Sequence, residues 1–91
     1  MPQTTGTKGI NMKLLVFVTE DNVADATVDA LIEQGFRVTR LASTGGFLRK
    51  GNTTLLVGVE ESAADQALQV ARSVAPGALV VGLDLERYER I

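Results

Sequence analysis

Residues 13–18 read KLLVFV. In an extended strand alternate side chains face opposite ways. Leu14, Val16 and Val18 therefore line one face, and Leu15 and Phe17 the other. A strand that is apolar on both faces does not leave one of them in water. This run therefore demands a layer on each side of its sheet. Residues 53–59 (TTLLVGV) repeat the demand and predict a second central strand. Gly58 interrupts that strand. A glycine there is costly unless a backbone or a ligand comes close.

The intervening and following segments supply the other elements. Ala24, Val28, Leu31 and Ile32 recur at helical spacing and predict a helix over 21–34 with one core stripe. Gly35 is placed to end it in the left-handed conformation. Asp21, Asp25, Asp29 and Glu33 fall four apart on another face. They read either as a solvated acidic face or as one that meets basic groups of another subunit. Residues 36–43 form a strand with Arg37, Thr39, Leu41 and Ser43 on one face and Phe36, Val38, Arg40 and Ala42 on the other. Neither face is cleanly apolar, so the strand is expected at a sheet edge or beside a site. Residues 62–65 (SAAD) read as a capping box. The helix it opens runs to Val74 on a stripe of Ala64, Ala67, Leu68, Ala71 and Val74. Ala75, Pro76 and Gly77 stop it. Residues 78–83 (ALVVGL) are the last strand, and 84–91 a short charged tail.

The order βαββαβ predicts an α+β, ferredoxin-like two-layer sandwich. The first and third strands are expected to be central and parallel, with both helices on one sheet face. The second apolar face then needs a cover, and another subunit is the expected one. Association also helps a domain of this size stay folded.

One domain over 12–91 is expected, with residues 1–11 as a disordered extension. An apolar share of 45% with 22% charged residues is ordinary globular composition. The chain has no cysteine, which excludes disulfides and thiolate metal sites. It has no histidine, which removes the commonest general base and metal ligand. Catalysis would rest on carboxylates and hydroxyls, and Glu60, Glu61 and Asp84 show no spacing suited to acid–base work. Tyr88 reads as a packing residue. The expectation is therefore no enzyme, no cofactor and no metal. A net charge of −2 argues against nucleic-acid binding. No apolar run approaches the roughly 18–20 residues of a membrane span. A cytoplasmic protein with no membrane association is expected.

Residues 34–59 contain Arg37, Arg40, Arg49 and Lys50 and no acid, whereas 14–36 contain five acids and no base. The stretch 44–52 exceeds the usual 2–5 residues of a hairpin loop. Gly45 and Gly46 can present successive N–H groups to an anion. Arg49 and Lys50 add charge, and Phe47 can stack on a base. The same glycines also suit plain turn geometry, and spacing alone leaves both readings open. A P-loop is excluded, because no GK[ST] ending follows and the next element is a strand. Arg37 and Thr39, two apart on one strand face, suit a phosphate or base edge.

Residues 35–54, GFRVTRLASTGGFLRKGNTT, resemble the cyclic di-AMP receptor family of PII-like signalling proteins, which carries an NFRATKLATTGGFLRAGNTT-like segment here. A weaker match runs over 12–74. The resemblance implies a PII-like protomer, a homotrimer, nucleotide sites between subunits and an unidentified protein partner. It implies a ligand set of Arg37, Val38, Thr39, Gly46, Phe47, Leu48, Asn52 and Gly58, and so gives Gly58 a reason. The chain departs from the family in three places. Gly35 stands where the family has Asn. Only Ala75, Pro76 and Gly77 replace a long loop that helps close the site. The last strand lacks an aromatic near Val81, with Arg90 in place of a Gln. The implied ligand is cyclic di-AMP, or a smaller adenine nucleotide. A nucleotide-free protein-docking module is the alternative.

Overall fold

The computed structural model describes residues 11–41 and 51–86. Strand β1 (Met12–Glu20) runs into helix α1 (Asp21–Glu33) and strand β2 (Arg37–Leu41). Strand β3 (Asn52–Glu60), a 3-10 turn (Glu61–Ala63), helix α2 (Ala64–Val74) and strand β4 (Leu79–Leu85) follow. The sheet order is β2-β3-β1-β4. This is the α+β, ferredoxin-like sandwich that the element order implied.

The direction of the central strands differs from expectation. β1 and β3 are central, but they pair antiparallel, with Phe17 opposite Leu55 and Leu15 opposite Val57. β4 is also antiparallel to β1, and β2 to β3. The helix crossover makes β1 and β2 parallel, and β3 returns between them. The two-sided apolar pattern marks central position and not strand direction.

On one face Leu15, Phe17, Leu55, Val57 and Val59 meet Leu31, Ala64, Ala67 and Ala71 in the core. Alanines on α2 let it lie close to α1 and the sheet. Along α1 the buried residues are Ala24, Thr27 and Leu31, while Ile32, expected in the stripe, is exposed. Thr27 is admitted to the core because its hydroxyl donates to the Val23 carbonyl at 2.7 Å. A buried hydroxyl so bonded avoids its desolvation penalty.

Gly35 ends α1 as expected, with φ at +92°. Its N–H donates to the Ile32 carbonyl at 2.9 Å, and that of Phe36 to the Leu31 carbonyl at 3.0 Å. This is a Schellman closure, and Phe36 packs on the core that contains Leu31. A Cβ at Gly35 would meet nothing within 4 Å, so any cost there is one of backbone conformation. Gly35→Ala is expected to destabilise the fold by roughly 1–2 kcal/mol. The check is a lowered urea midpoint at unchanged m-value.

The capping box does not form. Ser62 lies in the 3-10 turn, and α2 starts after Ala63 with no side-chain cap. The turn is tied instead by the Glu61 N–H donating to the Asn11 carbonyl at 2.7 Å. Asp84 and Leu85, expected in the tail, extend β4. Lys13, opposite Asp84, donates to its carboxylate at 2.6 Å. That hydrogen bond, opposed by desolvation, holds the lysine pKa above its ordinary value. Residues 1–10 of the expected 1–11 extension, Ala42 and Ser43 of the expected strand, the 44–50 part of the loop and Tyr88 lie outside the described residues.

The other sheet face carries no helix. Register places Leu14, Val16 and Val18 in rows with Leu56 on β3 and with Leu79, Val81 and Leu83 on β4. Leu79 is 60% exposed, Leu83 49% and Val81 43%. Alternation would put polar side chains on a wet face. In the single chain this apolar face is bare among the described residues.

Candidate functional site

β2 is an edge strand, as its mixed faces implied, and its register on β3 sets the geometry. Arg37 lies opposite Gly58, and Thr39 opposite Leu56. Leu14 of β1 is the other neighbour of Gly58. On the bare face, then, Gly58 leaves a slot between the Arg37 and Leu14 side chains. Arg37 and Thr39 are exposed beside it. Arg37 makes no ion pair among the described residues, whereas Arg40, on the helix side, meets the Asp25 carboxylate at 2.6 Å. A guanidinium with its donors available, a hydroxyl and a flat strip of backbone suit a phosphate and a planar ring.

Val38 stands apart from this group. It faces the helices and packs against the core, opposite Val57. Only its main chain, on an edge strand, is offered to a ligand. Asn52 is also separate. It opens β3 opposite Glu20, six residues from Gly58, which is roughly 20 Å along a strand. Gly46, Phe47 and Leu48 lie outside the described residues. One chain therefore brings Arg37, Thr39 and Gly58 together and holds Asn52 at the far end of the sheet.

Around Asn52 the chain forms a broad open cleft of about 1220 Å³, lined among others by Thr19, Glu20, Asp21, Gly77 and Leu79. The floor is set by α1's first residue. The Asp21 N–H donates to the Gly51 carbonyl at 2.9 Å, and the Thr53 hydroxyl donates to the Asp21 carboxylate at 2.5 Å. Gly51, with φ at +90°, turns the chain into β3. The opposite wall is the tight join of α2 to β4. There the Ala78 N–H donates to the Ala75 carbonyl at 3.1 Å, and Gly77 has φ at +93°. A join this short leaves the cleft open. The hydroxyls of Thr19 and Thr54 are buried at this end of the sheet without a hydrogen-bond partner among the described residues. The role of Asp21 escaped the sequence reading, because a row of acids four apart gives no sign that one of them reaches a strand 32 residues on.

A sequence profile described as cyclic-di-AMP receptor matches residues 12–78. The chain belongs to the cyclic-di-AMP receptor family. That membership supports a nucleotide-binding signalling role. Among solved structures, the chain is similar to a functionally unknown protein from Pediococcus pentosaceus, at 29% identity and a TM-score of 0.79. The match covers 90% of this chain and 99% of that one. A DUF3240 family protein from Shewanella baltica matches at 19% identity and a TM-score of 0.66, over 88% of this chain and 96% of that one. CutA1 from Oryza sativa matches at 10% identity and a TM-score of 0.71, over 88% and 84%. The last two show the fold alone. Among the described residues, no helix is long and apolar enough to cross a membrane. None of the acids there form a group of three or more able to hold a metal ion.

Proposed function

We propose that this receptor binds cyclic di-AMP in clefts between the subunits of a homotrimer and relays the bound state to a partner protein in the cytoplasm. The observation that carries this reading is the separation within one chain. Arg37, Thr39 and Gly58 sit at one end of the bare sheet face and Asn52 at the other. A second copy seated on that apolar face covers Leu79, Val81 and Leu83. It can also carry its Asn52 to the first copy's Arg37. Arg37 then holds a phosphate or a base edge, Thr39 adds a hydroxyl, and Gly58 lets a ring approach the strand. Phe47, by the family resemblance, packs on a base, and Gly46 and Leu48 complete the wall. The ligand thereby changes the surface that residues 44–52 offer to a partner. The extent of that change follows from its affinity for the two arrangements.

Titration calorimetry with cyclic di-AMP, AMP and ATP, alongside native mass spectrometry, tests the reading. The expected result is a trimer that takes up cyclic di-AMP. Absence of heat with any of the three nucleotides at tens of micromolar would leave the protein-docking module as the better account. One observation favours a smaller ligand as a second reading. The short join at Ala75–Ala78 leaves the cleft beside Asn52 open where the family has a closing loop. A preference for AMP or ATP over cyclic di-AMP would support it.

Filling the slot provides a further test. Gly58→Leu is expected to abolish nucleotide binding, since its side chain would occupy the space between Arg37 and Leu14. Gly58 is exposed in the single chain, so circular dichroism should show the fold retained.

A further inference from the structure

We propose that Asp21 is the positioning residue for Asn52, an inference that rests on the reading of Asn52 as a ligand contact. Asp21 grips the chain on both sides of Asn52. Its N–H donates to the carbonyl of Gly51, and its carboxylate accepts the hydroxyl of Thr53. It can do so because Glu20, just before it, is the register partner of Asn52. Asp21 is itself fixed as the first residue of α1. The start of the helix thus sets where β3 begins and which way the Asn52 amide is presented.

The two bonds differ in what a substitution removes. The main-chain bond survives any side chain at residue 21. The hydroxyl-to-carboxylate bond is charge-assisted, roughly twice as strong as a neutral one, and is lost in Asp21→Ala or Thr53→Val. Asp25 extends the frame to β2 by accepting from Arg40, next to Leu41. That pair is exposed and contributes less. The first two turns of α1 therefore hold the two strands where they reach the cleft end of the sheet.

A double-mutant cycle tests this. Asp21→Ala and Thr53→Val are each expected to weaken cyclic di-AMP binding about threefold to tenfold. Introduced into an Asn52→Ala background, neither should weaken it further, because the effect runs through Asn52. A merely structural role would lower affinity equally in both backgrounds. Asp29→Ala, on the same acidic row, is expected to leave binding unchanged. A second arm needs no ligand. In the NMR spectrum of the unliganded protein, Asp21→Ala should move the backbone and side-chain amide signals of Asn52. Unmoved Asn52 signals would overturn the proposal. Should the wild-type protein bind no cyclic dinucleotide, the ligand reading fails, and the NMR arm alone decides the role of Asp21.

Discussion

Arg37→Ala is expected to raise the dissociation constant for cyclic di-AMP by roughly ten- to a hundredfold, the cost of losing charge-assisted hydrogen bonds to a phosphate. The unliganded protein should melt at an unchanged temperature. Arg37 is exposed and makes no ion pair among the described residues, so its removal strips nothing from the core. Arg40→Ala serves as the comparison. Its side chain lies on the helix side and pairs with Asp25, so it is expected to change affinity far less. Calorimetric titration of both variants checks the pair. Equal losses would mean that net positive charge, and not the face of β2, governs binding. Lys in place of Arg37 should restore the charge but only part of the affinity, because an ammonium lacks the planar fork.

Val81→Asp is expected to turn the assembly into monomers and to abolish binding with it. In one chain Val81 is 43% exposed on the bare face, and a carboxylate there meets water at little cost. Under a second subunit the same carboxylate is buried and unpaired, which costs several kcal/mol. Light scattering after size exclusion reads the assembly, and circular dichroism reads the fold. A folded monomer that no longer binds is the expected outcome. An intact oligomer would show that the subunits meet elsewhere. The effect on binding follows from the distance between Arg37 and Asn52 along the sheet, since a monomer keeps both residues and cannot unite them.

The strands were legible because short, continuous apolar runs such as KLLVFV, bounded by polar and turn residues, mark buried strands. Gly35 was legible because the end of a periodic helix followed by glycine has few readings. Strand direction was not. Apolar side chains on both faces of β1 and β3 report that both faces are covered or need cover, and the hydrogen-bond direction leaves no mark on that pattern. Thr27 and Ile32 exchanged places because helical spacing gives a stripe but not its edges. A threonine that bonds back to Val23 can enter the core. The capping motif failed for a similar reason. Ser62 is at the right spacing, but the chain before it is bound to Asn11 and winds as a tighter turn. The candidate site was legible mainly through the likeness of residues 35–54 to a family segment. Its division into two ends of a sheet was not, because that requires the register of β2 on β3. The partners of Asp21 and Asp25 were hidden too, since helix periodicity describes neighbours along the helix and is silent about distant strands.

In the proposed assembly one binding site is built from two copies of the chain, with Arg37 from one and Asn52 from its neighbour. Complementation tests it most directly. Arg37→Ala and Asn52→Ala chains, each deficient alone, are co-expressed so that mixed assemblies form, and cyclic di-AMP binding is titrated. The mixed assemblies are expected to regain a fraction of sites with wild-type affinity, because some interfaces pair an intact Arg37 with an intact Asn52. Mixed assemblies that bind no better than either parent would contradict it.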